Sequence, residues 1–205
     1  MQAKGVIFFM NNISFQGKSI IYTNPQRFKE IVNNTEVQRR TIKSTAKTNV
    51  INKWKAYQLQ LSPENLLVVL SSEKGGCVTH VPTNNRNEEI LSELCNKIDE
   101  FTKKAKSKIT AWIIGGDSVN GANGTKTIET LDDIADIVCD KPNIDASILV
   151  GAKKGQENCA LYARNNEIEI TLDKPIKLDK NVSPEENLEQ IFDITELNNT
   201  ELKTD

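Results

Sequence analysis

His80 is the only histidine among 205 residues, and it stands three residues after Cys77 in the segment Gly75-Gly76-Cys77-Val78-Thr79-His80. Imidazole takes up and returns a proton near neutral pH, so a thiol or a bound amide beside it would define general-base or nucleophilic chemistry. Three readings are open. His80 is a histidine held in the core or at a strand end, or a general base, or half of a Cys77-x-x-His80 zinc clip completed by Cys95, Cys139 or Cys159. Structural zinc sites usually present two paired clips, and one is found here, so no metal and no other cofactor is expected. Residues three apart on a regular strand point to opposite faces; Cys77 and His80 meet only if the glycine pair bulges the chain. Without a bulge Cys77 is a buried, inert thiol. Cys95 falls on the apolar face of a helix pattern, and no polar neighbour in sequence marks Cys139 or Cys159 as an activated thiolate.

A second constellation is Gly115-Gly116-Asp117-Ser118, followed by Gly121 and Gly124. It lacks the lysine and the spacing of the nucleotide-binding fingerprints, and a tight turn at a sheet edge is the favoured reading. Its interest is its position. Ligands of open α/β sheets gather where strands end and helices begin, so Gly115, Gly116, Asp117 and Ser118 are candidate binding residues at such a mouth.

These residues need elements to position them. Asn65 to Leu70 and Ile109 to Ile114 are short apolar runs, which suit strands buried on both faces. Between them, Ile90, Leu91, Leu94, Cys95, Ile98 and Phe101 recur at helical spacing after an Asn87 cap. A second helix is marked by Ile128, Leu131, Ile134, Ala135 and Val138 and stopped by Asp140-Lys141-Pro142. Strands follow from Ile144 to Val150, around Cys159 to Arg164, and over Ile168, Ile170 and Leu172, which alternate with polar residues. The order predicts an α/β fold, a mixed-sheet sandwich with helices packed on the sheet.

The flanks are less legible. Gly5 to Met10 and Ser19 to Tyr22 read as strands, and Asn24-Pro25 opens a short helix over Phe28, Ile31 and Val32. Thr35 to Lys55 reads as a solvated loop or edge-strand region. Ser183-Pro184-Glu185-Glu186 is a capping box that predicts a short helix through Phe192, and Asn198 to Asp205 read as a frayed tail. The division is 1–61, strands and loops packed on the main domain; 62–175, the α/β domain; and 176–205, a short helix and tail.

The 26 basic and 28 acidic residues give a formal net charge of -2, which supplies no field for holding nucleic acid. The apolar start from Gly5 to Met10 breaks too early for a secretory segment and nothing later approaches a membrane span, so no membrane partner is expected. Four scattered cysteines in a chain of this length point to reduced thiols in a cytoplasmic compartment, and a composition rich in Asn, Lys and Ile suggests a bacterial genome.

The run Val68-Val69-Leu70, then Gly76-Cys77-Val78-Thr79-His80, the helix through Phe101, and Trp112-Ile113-Ile114-Gly115-Gly116 resemble the core of protein N-terminal asparagine amidohydrolase. The layout is similar, more distantly, to the chemoreceptor glutamine deamidases, whose Gly-Gly-x-x-His segment and Phe-Gly-Gly turn compare with Gly75 to His80 and Ile114 to Gly116. The resemblance covers about Ser62 to Leu172. It implies a deamidase-like sandwich in which a cysteine thiolate attacks a side-chain amide, His80 acts as base, and ammonia leaves through a thioester. Alignment on Val68-Val69-Leu70 sets Asn65 where that cysteine would stand, and asparagine cannot form a thioester. Three outcomes are open. One is an inactive relative, a pseudoenzyme that keeps a pocket for a protein or peptide partner. Another is an active hydrolase that uses Cys77 with His80, or a hydroxyl such as Ser62. The third is a likeness of fold alone. The first is favoured.

Overall fold

The computed structural model describes residues 18–22, 25–33, 49–51, 57–72, 75–83, 88–104, 108–153, 159–164, 167–172, 179–196 and 200–203. The strand read at Gly5 to Met10 lies outside them. In chain order the elements are β1 (Lys18–Tyr22), α1 (Pro25–Asn33), β2 (Asn49–Ile51), β3 (Tyr57–Gln60), β4 (Asn65–Ser72), β5 (Gly75–Pro82), α2 (Glu88–Lys104) and β6 (Ile109–Asp117). There follow α3 (Gly124–Cys139), β7 (Ile144–Ala152), β8 (Cys159–Arg164), β9 (Glu167–Leu172), α4 (Pro184–Leu188), β10 (Phe192–Glu196) and β11 (Thr200–Lys203).

The strands form two mixed sheets, β11-β1-β9-β8-β3 and β10-β7-β6-β4-β5-β2. In the larger sheet β6 and β7 run parallel and the other pairs are antiparallel; in the smaller one β1 is parallel to both its neighbours. The apolar runs of β4 and β6 are explained by two layers of cover. On one face Leu66, Val68, Leu70, Ala111 and Ile113 pack with Leu94, Ile98, Leu131 and Ile134 of α2 and α3. On the other, Leu67, Val69, Trp112 and Ile114 pack with Ile168 and Ile170 of β9 and with Phe192. A strand in the middle of such a stack has no polar face, which is why alternation is missing from its sequence. The far side of the smaller sheet carries α1, where Arg27 Nη2 donates to the Glu169 carboxylate at 2.7 Å. The architecture is α/β.

Of the described residues before Leu61, β1 and β3 belong to one sheet and β2 to the edge of the other. The C-terminal expectations need correction. The capping box forms as read, with Ser183 N donating to Glu186 Oε2 at 2.9 Å and Glu186 N to Ser183 Oγ at 3.1 Å. The helix nevertheless ends at Leu188, and Phe192 to Glu196 form β10 against β7. The expected tail contains β11, which pairs in parallel with β1 from Ser19–Thr200 to Tyr22–Lys203. Among the described residues no helix is long and apolar enough to cross a membrane.

Candidate functional site

β4 lies between β5 and β6, and its register assembles the candidate residues. Leu67 pairs with His80 on one side and with Ile114 on the other, while Asn65 pairs with Pro82 and Leu66 with Gly115. His80, Leu67 and Ile114 therefore form one row across the sheet, with Asn65 and Gly115 just beyond it at the sheet's end. Side chains alternate along a strand, so Asn65, Leu67 and Val69 share the face turned toward the smaller sheet, and so do the cross-strand partners His80 and Val78. Asn65 and His80 are diagonal neighbours on that face, a relation that separates Cα atoms by about 7–8 Å.

Cys77 does not join them. It pairs with Leu70 and belongs to the core under the helices. The β4–β5 register runs without a bulge from Ser72–Gly75 to Asn65–Pro82, so Gly75 and Gly76 do not bend Cys77 round to His80. The thiol–imidazole pair and the zinc clip considered for these two residues are not formed. Burial pushes the Cys77 thiol up to about 12, against a small opposing effect of Lys97. Cys95 lies on α2 and Cys139 ends α3, where burial first, then Glu196, Asp140 and Asp136, raise its pKa. Cys159 opens β8 in the other sheet, opposite Leu172. Among the described residues no three His, Cys, Asp or Glu side chains converge as a metal ion would require.

The glycine pair is used by the protein itself. Both residues have left-handed backbone, with φ of 102° at Gly115 and 76° at Gly116. A Cβ at Gly115 would lie 3.0 Å from the Asn65 carbonyl oxygen, and one at Gly116 would lie 2.5 Å from Thr127 Cγ2. The missing side chains thus let the 61–65 turn close over β6 from one side and α3 from the other. That turn is held by the Ser62 carbonyl, which accepts from Asn65 N at 3.3 Å and from Gly116 N at 3.2 Å, and by Glu64 N donating to Ser62 Oγ at 3.1 Å.

Asp117 and Ser118 shape the loop into α3. Asp117 Oδ1 accepts from Ser118 N at 2.9 Å and Oδ2 from Asn123 N at 2.8 Å, while Asp117 N donates to Thr127 Oγ1 at 3.0 Å. Asp193, on β10, accepts from Ser118 Oγ and from Val119 N, both at 2.7 Å. Gly151, with φ of 77°, makes room for it: a Cβ there would lie 3.1 Å from the Asp193 Cβ. Asp193, Thr127 and Gly151 were not found from sequence. Asp193 lies 75 residues from Ser118, and no local spacing links them.

Next to this frame Leu61, Ser62, Pro63, Ala152 and Phe192 close around Gly115 and Gly116 and leave no space that a water molecule could enter. Asn65 is half-buried at the rim of the sheet, whereas His80 beneath it is only 2% exposed. Chemistry from solvent meets Asn65, Ser62 and Pro63 before it meets the imidazole. No protein-family model matches the chain, and no curated protein matches it either.

Proposed function

We propose that the protein is a divergent, catalytically inactive relative of the side-chain amide hydrolases that binds a protein or peptide at the Asn65–Gly115–Gly116 end of its larger sheet. The observation that carries this reading is the register of β4. Asn65 stands on the same face as His80 and diagonal to it, while the thiol nearest in sequence, Cys77, is on the opposite face and buried. A thiol at position 65 would have an imidazole within reach; an asparagine there has a carboxamide, which offers a donor and an acceptor to a ligand amide and no nucleophile. Ser62 and Pro63 of the adjoining turn are half-buried like Asn65 and would meet a ligand beside that carboxamide. We place the protein in a bacterial cytoplasm, supported by free Cys77, Cys95 and Cys139 and by the composition.

The test pairs binding with turnover. Asparagine- and glutamine-containing peptides bind the natural protein in titration calorimetry, bind less after Asn65→Ala, and release no ammonia. Asn65→Cys restores the missing nucleophile, and base activation of a placed nucleophile is worth about 10²–10⁴ in rate. Thioester trapped by hydroxylamine, or ammonia above the natural protein, is the expected result. Brisk ammonia release by the natural protein, or absence of peptide binding together with a silent Asn65→Cys, would sink the reading.

A further inference from the structure

Asparagine precedes glycine at two places in this chain, Asn120-Gly121 and Asn123-Gly124, and both lie in the loop between β6 and α3. Such a pair is chemically labile because a glycine nitrogen, with no Cβ beside it, can approach the preceding side-chain Cγ. The structure treats the two pairs differently. Gly124 is buried as the first residue of α3, and a Cβ there would collide with the carbonyl oxygens of Ser118 and Val119. Asn123 is held at both backbone ends, its N–H on Asp117 Oδ2 at 2.8 Å and its carbonyl accepting from Thr127 N at 2.8 Å. Asn120 is exposed, and Gly121 N is held in the turn by a 2.7 Å bond to the Ser118 carbonyl.

We propose that Asn120 is a self-deamidation site whose rate is set by opening of the 118–121 turn. In the step, Gly121 N bonds to Asn120 Cγ and the bond from Cγ to the side-chain nitrogen breaks. That nitrogen leaves as ammonia, taking up the proton that Gly121 N gives up. Water then opens the cyclic imide at either carbonyl, leaving aspartate or isoaspartate. Attack needs Gly121 N free of Ser118 and turned toward Cγ, so the folded loop must open first. Ser118 is the residue both carboxylates hold, through its N–H on Asp117 and its hydroxyl on Asp193. The clamp therefore protects Asn120 to the extent that it keeps Ser118 in place. Either product adds a carboxylate to a loop already held by those of Asp117, at the end of β6, and Asp193, on β10.

The 205-residue chain is aged at neutral pH beside the free peptide of residues 109–126, which a tryptic digest also yields, and tandem mass spectrometry locates the change. Asn120 is expected to convert in the folded protein, more slowly than in the peptide, with Asn123 at least about tenfold behind. Ser118→Ala removes one charge-assisted hydrogen bond and should speed conversion of Asn120 about tenfold, with hydrogen exchange of the Gly121 amide rising in parallel. Asp193→Asn should act in the same direction, and Ser118→Ala decides the matter if that variant does not fold. Conversion of Asn123 first, no conversion of Asn120 by the time the free peptide is spent, or an unchanged rate in Ser118→Ala would overturn the proposal. The site is independent of the proposed peptide binding: its ammonia is limited to one equivalent per chain and is indifferent to added peptide and to Asn65→Cys.

Discussion

The sharpest test of the glycine pair is Gly116→Ala. At φ of 76° an alanine pays for left-handed backbone, and its Cβ would stand 2.5 Å from Thr127 Cγ2 and 3.0 Å from Leu66 Cδ2. The backbone component is about 1–2 kcal/mol and overpacking of a filled core about 1–3 kcal/mol, so the variant should lose about 2–5 kcal/mol. The two components separate in a double-mutant cycle. Thr127→Ser deletes Cγ2, the atom in collision, and keeps the hydroxyl that accepts from Asp117 N at 3.0 Å. Alone it should cost about 1 kcal/mol for a lost buried methyl; combined with Gly116→Ala it should relieve about 1–2 kcal/mol of the overpacking and leave the backbone strain. Urea unfolding, followed by tryptophan emission, to which the buried Trp112 contributes, measures each corner, and an unchanged slope with denaturant keeps the comparison two-state. If Gly116→Ala stays within about 0.5 kcal/mol of the natural protein, the range of an ordinary surface substitution, or if the cycle shows no coupling, close packing is not the reason for the glycine. A stable Gly116→Ala that has lost peptide binding would assign the residue to ligand approach instead.

Three further outcomes follow from particular contacts. Native iodoacetamide labelling should modify Cys95 and Cys139 ahead of Cys77, whose thiol is fully buried and pushed up to about 12; fast modification of Cys77 would show that its face of the sheet opens. Glu169→Gln should cost about 1–3 kcal/mol, because Arg27 loses an ionised acceptor at a carboxylate that is 8% exposed, and an unchanged urea midpoint would remove α1 docking from this pair. Burial raises the Glu196 pKa above 4.5, so its contribution to stability is complete below that value and is lost as pH rises through the higher folded value. Relative to the natural protein, Glu196→Gln should therefore gain stability as pH rises from below 4.5 and then level off; a constant difference across that range would contradict the shift.

What could be read from sequence was whatever a local period encodes. Helices α2 and α3 show their apolar spacing, and β4 and β6 show as continuous apolar runs because both faces are covered. The capping box of Ser183 and Glu186 was legible for the same reason. Where the helix stops was not: the Asn187 side chain donates to the carbonyls of Asp179 and Ser183, and Ile191 N turns back to Leu188 O, so the chain leaves the helix with no proline or glycine to announce it. β10 offers only Phe192 and Ile194 as alternating signal, and β11 only Leu202; their places are fixed by partners far away in sequence. Asp193 is the instructive loss. Its whole role is a contact across 75 residues, and its neighbour Gly151 shows only as a glycine near the end of a strand.

The register of one strand decides the chemical meaning of this chain more than the presence of its reactive residues does. A cysteine and a histidine three apart appear in sequence as a pair, yet a flat β5 sends Cys77 into the helix-side core and His80 toward the smaller sheet, with the sheet itself as insulation between them. Directly opposite His80 is Leu67; Asn65, 15 residues away in number, shares that face two places along the adjoining strand. It is also the position that the 61–65 turn leaves half-buried, while the imidazole stays 2% exposed. In the proposed reading, a ligand arriving from solvent meets the Asn65 carboxamide and the Ser62 hydroxyl, both half-buried, and not the buried base. The proposed recognition needs only those groups, whereas catalysis on that reading would need the base together with a nucleophile that position 65 lacks.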